Sequence, residues 1–203
     1  MIGRAETSRL RDLVRERLSE KRFLHTLGVE RLAKRLGEIV LPGSVYELCS
    51  AALLHDIAKE IPEKEQLLLI GGDFEADDLD TPAIYHALAA PALIKRDFPD
   101  YATENILSSV KNHTTGAPDM TLFDKIIFIS DFAEDGREYP ACREVAERLS
   151  LNLKLAKSLE ESVKAIDLST LDTLKATVLA LNRMKKPINH RTLLTISAFA
   201  DKI

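Results

Sequence analysis

Two aspartates stand in stretches that are otherwise apolar enough to be core. Asp56 follows Ala51-Ala52-Leu53-Leu54-His55, and Asp131 follows Ile126-Ile127-Phe128-Ile129-Ser130. Burying a carboxylate in either run is costly unless a cation or strong donors compensate it, so two such carboxylates imply a cation. Four of the five histidines fall in one ordered series with them: His25, His55-Asp56, His86, His113, then Asp131. Imidazole and carboxylate are the donors for a hard to borderline metal such as iron, manganese or zinc, and no thiolate competes within the series. A lone histidine in a helix is usually a hydrogen-bonded residue and nothing more. The ordered combination is what points to a metal-dependent enzyme.

Composition bounds the frame around that series. A chain of 203 residues, 45% apolar and 30% charged, can bury one substantial core and leaves no room for a fused partner domain. Eight glycines, eight prolines, no tryptophan and frequent Leu, Ala, Lys and Glu favour an all-α fold. A net charge of −4 makes the chain no electrostatic lure for a nucleic-acid polymer, so a polyanionic substrate needs basic residues gathered at one site. Cys49 and Cys142 have no CxxC spacing, and no secretory leader is visible, which sets the expectation of a reduced, cytoplasmic location. No apolar run approaches the roughly 20 residues that span a bilayer, so no membrane role is expected.

Helical periodicity places the series on successive helices. An amphipathic helix is predicted from about Ser8 to Glu20, and a second from Arg22 to Leu36, stopped by Gly37, with His25 in its first turn. Ser44 is the predicted N-cap of a helix over Val45 to Lys59 that carries His55-Asp56, followed by a short helix from Glu63 to Ile70. Gly71 to Asp80 reads as an acidic loop. Pro82 opens a helix bearing His86 to about Asp97, with a kink expected at Pro91. Thr103 or Glu104 starts the helix that delivers His113, and Thr121 caps Leu122 to Ala133. Later helices are expected around Cys142 to Ala165, Thr170 to Met184 and Arg191 to Asp201.

Phosphoanhydride hydrolysis suits these residues. It needs a hydroxide near neutral pH, which a bound metal supplies by lowering its water's pKa to on the order of 7, and a charge clamp on the oxygens attacked. Asp56 is placed to orient the water or take its proton. Lys59, three residues after Asp56, and Arg22, three before His25, are phased to face the same site; in isolation each is an ordinary surface cation. Arg137 offers a planar fork suited to phosphate. Thr114-Thr115-Gly116 is either a helix stop or a source of hydroxyl and N–H donors, and His113 just before it favours the second. His190 is assigned no role.

Four blocks carry a resemblance: Arg22-Phe23-Leu24-His25-Thr26-Leu27-Gly28-Val29, His55-Asp56-Ile57-Ala58-Lys59, His113-Thr114-Thr115-Gly116 with Pro118 and Met120-Thr121-Leu122, and Asp131-x-x-Glu134-x-x-Arg137. Together they resemble the HD-domain metal-dependent phosphohydrolases, and within them the YqeK-type symmetrical bis(5'-nucleosyl)-tetraphosphatases, over about residues 8 to 200. The chain departs from the pattern just after His86, at Asp135, where proline is usual, and near its C-terminal end, which lacks the customary asparagine motif. The resemblance implies a helical bundle forming a single HD domain over residues 1–203, its core about 20–135, with the C-terminal helices 140–203 packed on it. It implies that His25, His55, Asp56 and Asp131 hold the metal, iron in this family with manganese or another divalent ion as alternatives.

On the same ground His86 and His113 bind a second metal or the phosphate chain. Arg22, Lys59, Thr114 and Arg137 bind phosphate oxygens, His25 also borders the substrate, and Glu134 orients Arg137. Asp56, Lys59, His86 and His113 form the implied catalytic set. The implied reaction is cleavage of diadenosine tetraphosphate to two ADP, with a small dinucleoside polyphosphate or ADP as ligand and a homodimer as a possible assembly. Two readings compete. One is another HD phosphohydrolase, acting on nucleoside monophosphates, deoxynucleoside triphosphates or guanosine alarmones. The other is a non-catalytic nucleotide-binding module, whose usual mark is the loss of metal ligands that are all filled here.

Overall fold

The two aspartate-bearing runs become the innermost helices. The computed structural model describes residues 2–200, which fold in chain order as α1 (Arg4–Arg15), α2 (Glu20–Val40), α3 (Val45–Leu54), α4 (Glu63–Ile70) and α5 (Tyr85–Asp97). There follow α6 (Glu104–Asn112), α7 (Leu122–Ala133), α8 (Pro140–Leu155), α9 (Leu159–Arg183) and α10 (His190–Ala200), with no strand among the described residues. Leu48, Leu53 and Leu54 of α3 and Ile126, Ile127 and Ile129 of α7 are all at 0% exposure. The long α2 packs across both helices and α6 meets them as well, so the ends of α3 and α7 lie beside the first half of α2. A smaller apolar cluster of Met120, Phe128, Leu171, Leu174 and Phe199 joins α7 to α9 and α10.

Several boundaries differ from the sequence reading, each for a local reason. Gly37 does not stop α2. The helix runs on to Val40 because a side chain at 37 would come within 2.6 Å of Leu48 Cδ1; glycine here is a close approach of α2 to α3 that outweighs its low helix propensity. The α-helix carrying His55-Asp56 ends at Leu54, one residue earlier than those ligands. Beyond it the chain tightens, with Ile57 N–H donating to Leu54 O and Lys59 N–H to Asp56 O. Such i to i+3 bonds bring Lys59 over Asp56. Ser44 ends a short 3-10 turn, Pro42–Ser44, and makes no side-chain cap.

At the C-terminal side the break falls at Ala156 to Ser158 instead of near residue 166. Ser158 caps α9 by accepting from Glu161 N–H, and the Glu161 carboxylate accepts from Lys157 N–H. This Ser-x-x-Glu spacing was present in the sequence. The expected helix end at Asp201 lies outside the described residues.

The acidic stretch after α4 is not an open loop. It forms two short 3-10 turns, Gly71–Asp73 and Ala76–Asp78, and is clasped by the start of α10; Pro82 opens a third such turn, Pro82–Ile84, and the α-helix expected from Pro82 begins at Tyr85. Asp78, fully buried, accepts from Asn189 Nδ2 at 3.0 Å and from Arg191 Nε and Nη2 at 3.3 and 3.2 Å. Asn189 Nδ2 also reaches Thr81 Oγ1 at 2.9 Å. His190 is half-buried against Glu75 and Asp77. Among the described residues no helix is long and apolar enough to cross a membrane.

The cap of α7 is reciprocal: Thr121 Oγ1 accepts from Asp124 N–H, and Asp124 Oδ2 accepts from Thr121 N–H. Thr121→Ala should therefore cost about 1 kcal/mol of stability in chemical denaturation, without loss of the donors at the far end of the helix.

Candidate metal centre and active site

Five segments converge on one point. His25 comes from α2, His55 and Asp56 from the turn after α3, His86 from the first turn of α5, His113 from the end of α6 and Asp131 from the last turn of α7. The imidazoles meet edge to face, with ring centroids 5.3 Å apart for His25 and His55 and 5.1 Å for both His55–His113 and His86–His113. Asp56 lies between two sets of nitrogens. Its Oδ2 is 3.5 Å from His55 Nε2 and 3.9 Å from His25 Nε2, whereas its Oδ1 is 3.1 Å from His86 Nε2 and 3.6 Å from His113 Nε2. Asp131 Oδ1 completes the first set, 3.0 Å from His25 Nε2 and 3.7 Å from His55 Nε2. His25, His55 and Asp56, and separately Asp56, His86 and His113, are each grouped closely enough to hold a metal ion.

The donor chemistry fits a cation. His55 Nδ1 lies 2.7 Å from Ala52 O and His113 Nδ1 lies 2.7 Å from Val110 O. Each ring therefore carries its proton on Nδ1 and turns an unprotonated Nε2 toward the centre. His55 Nε2 is buried and has no hydrogen-bond partner. Leaving such an acceptor dry and unpaired is unfavourable, and a metal is what satisfies it without a proton.

Electrostatics follow the same geometry. Burial opposes charge on Asp56, but the surrounding imidazoles of His55, His113 and His86 hold its carboxyl well below the usual range. Burial likewise opposes charge on Asp131, and the His25 bond, His55 and Arg137 outweigh it. Burial pushes His86 down to about 4, against the pull of Asp56, which keeps the ring neutral at physiological pH. Lys59 is also lowered by burial, with Asp56 and Asp131 acting the other way.

The remaining sequence-predicted residues occupy distinct places. Arg22 Nη1 donates to Asp56 Oδ2 at 2.7 Å, and Arg137 Nη2 donates to Asp131 Oδ1 at 2.7 Å and to Asp131 O at 2.8 Å. Both arginines thus stand at the rim of the centre. Lys59 Nζ is 3.0 Å from His86 Nδ1 and 3.4 Å from Ala83 O. Thr114-Thr115-Gly116 forms a helix stop: Gly116, at φ +68°, donates to Asn112 O, and Thr115 Oγ1 donates to Gly116 O. Thr114 Oγ1 is buried without a hydrogen-bond partner.

Glu134 pairs with Arg137 and also with His25, a contact the sequence reading did not contain. Its Oε1 lies 3.2 Å from His25 Nδ1 and its Oε2 accepts from Gly136 N–H at 2.6 Å, while Arg137 Nε is 3.9 Å away. A carboxylate on the outer nitrogen fixes the ring so that Nε2 faces inward. Burial opposes charge on His25, but the bonds to Asp131 and Glu134 raise its pKa overall. Gly28, one turn after Leu24 on α2, makes room for this carboxylate, since a Cβ there would overlap it. The spacing Asp131-x-x-Glu134 was the available signal; its partner on α2 was not.

Outside His25 an open cleft of about 1230 Å³ is bounded by the first turns of α2 and by the strap Gly136 to Pro140 that leads into α8.

Residues 22–134 match the HD domain family, and the chain belongs to it. Those residues include all six donors of the centre. The Bacillus subtilis (strain 168) protein described as "Bis(5'-nucleosyl)-tetraphosphatase, symmetrical" is 30% identical over 184 residues, covering 90% of this chain and 91% of that one. A Staphylococcus aureus (strain NCTC 8325 / PS 47) protein of the same description is 30% identical over 157 residues, or 75% of this chain and 78% of its own length. A crystal structure from Clostridium acetobutylicum, described as a predicted HD superfamily hydrolase involved in NAD metabolism, superposes with a TM-score of 0.80 at 25% identity and covers 97% of both chains.

Gly28→Ala tests the support of His25. The carboxylate is the flexible end of a side chain, so the fold should survive while Glu134 is displaced, and metal affinity should fall about 10- to 100-fold by titration. Glu134→Gln should fall in the same direction by a smaller factor.

Proposed function

We propose that the protein is a metal-dependent hydrolase that cleaves diadenosine tetraphosphate symmetrically, yielding two ADP. The observation that carries this reading is the carboxylate of Asp56 set between two groups of imidazole nitrogens, with Arg22 and Arg137 bonded to the two ligand carboxylates at its rim. The symmetrical tetraphosphatases that resemble the chain over most of its length support it. His25, His55, Asp56 and Asp131 would hold a first cation, and His86 and His113 with Asp56 would hold a second or meet the phosphate chain. The all-nitrogen and oxygen donors suit iron, with manganese or another divalent ion as alternatives. A cation bound there supplies a water acidic enough to ionise near neutral pH and offsets charge on the phosphate oxygens.

The chain's own groups position and stabilise the rest. Arg22 and Arg137 can each turn from a ligand carboxylate toward the oxygens of a polyphosphate, Arg137 with a planar fork. Lys59 supports His86 and adds positive charge beside Asp56. Asp56 orients the attacking water. Attack at a phosphorus next to the central bridging oxygen expels ADP, whose developing charge the two arginines offset, so little general-acid help is needed. The free, buried thiols of Cys49 and Cys142 suit a reducing cytoplasmic setting.

Two measurements test this. Asp56→Ala should remove bound metal, read by elemental analysis of the folded protein, whereas Arg137→Ala and Lys59→Ala should keep metal and slow turnover or raise KM. Metal retained in folded Asp56→Ala would remove the assignment. In oxygen-18 water, one label should enter one of the two ADP molecules per turnover. ATP with AMP would show asymmetric cleavage, and inorganic phosphate or pyrophosphate would favour another HD phosphohydrolase reaction.

A further inference from the structure

The cleft outside His25 has two chemically different regions. At its inner end stand Arg22 and Arg137, suited to phosphate oxygens. Two large apolar side chains line it: Leu24 of α2, 59% exposed, and Tyr139 of the strap before α8, 74% exposed. One exposed apolar residue is ordinary. A leucine and an aromatic ring lining the same cleft, with Leu24 adjacent in sequence to the ligand His25, form a surface that nothing else in the fold uses. Both are held by rigid backbone. Leu24 lies within the long α2, and Tyr139 is fixed by Pro140 at the start of α8 and by the Cys142 N–H to Tyr139 O bond of 3.0 Å.

We infer that Leu24 and Tyr139 form the base-binding subsite for one nucleoside of the substrate. Tyr139 stacks on a face of the base, Leu24 covers its edge, and the phosphate chain runs inward toward Arg22 and Arg137. The cleft volume of about 1230 Å³ accommodates a nucleotide-sized ligand. Every base presents a π-face, so stacking recognises the class of base more than its hydrogen-bonding pattern. Stacking of this kind does not confine the subsite to adenine. Tyr139 lies beyond residues 22–134, so this wall is an addition to the HD segment. The assignment rests on the proposed reading of the centre as a dinucleotide hydrolase, but its test does not require turnover.

Calorimetric binding of ADP and of inorganic pyrophosphate to the metal-loaded protein separates base from phosphate recognition. Tyr139→Ala should weaken ADP binding about tenfold and leave pyrophosphate unchanged, Leu24→Ala should act in the same direction, and Tyr139→Phe should bind ADP as the parent does. Unchanged ADP affinity in Tyr139→Ala, an equal loss for pyrophosphate, or parent binding of ADP no tighter than of pyrophosphate would each overturn the subsite. Failure of the parent to cleave diadenosine tetraphosphate would instead count against the proposed reaction and leave this comparison readable.

Discussion

The carboxylate of Asp56 is the constraint on which the structure turns. It sits at the end of an apolar helix, 4% exposed, with imidazole nitrogens facing each of its oxygens. A charge so placed is tolerable only if every neighbour is arranged around it, and removing one partner of a buried charge costs more than the interaction returns. That requirement explains why α2, α5, α6 and α7 all present a polar ligand at the depth where their other residues are aliphatic. The apolar core holds the helices, and the polar centre determines how they are phased against one another.

Control of the centre extends one layer outward. His55 and His113 are turned by carbonyls three residues earlier on their own segments, a local device encoded within a single turn. His25 is turned by Glu134, 109 positions along the chain. The first arrangement survives as long as its turn does, whereas the second depends on the packing of α7 against α2 and on the absent side chain of Gly28. His25 is therefore the ligand most sensitive to distant changes in the fold.

Much of this was legible in the sequence because strong signals act locally. Periodicity located the helices, and the Thr103 and Thr121 caps fixed two of their starts. The costly placement of Asp56 and Asp131 identified the centre before any geometry. What escaped depended on contacts between segments. Gly37 reads as a stop until Leu48 is set against it, and the contact of Glu134 with His25 joins segments 109 positions apart. The Ser158-x-x-Glu161 cap is a different kind of miss, since the local signal was there and was outweighed by a continuous helical pattern.

The clasp of Asn189 and Arg191 on Asp78 has a consequence for how the molecule assembles. Its bonds join residues 111 and 113 positions apart, and a loop of that length closes at a substantial entropic cost that native contacts offset only once both ends are in place. The segment it holds runs directly into the turn that presents His86. The second set of donors is thus the part of the centre whose order depends on the last helix described.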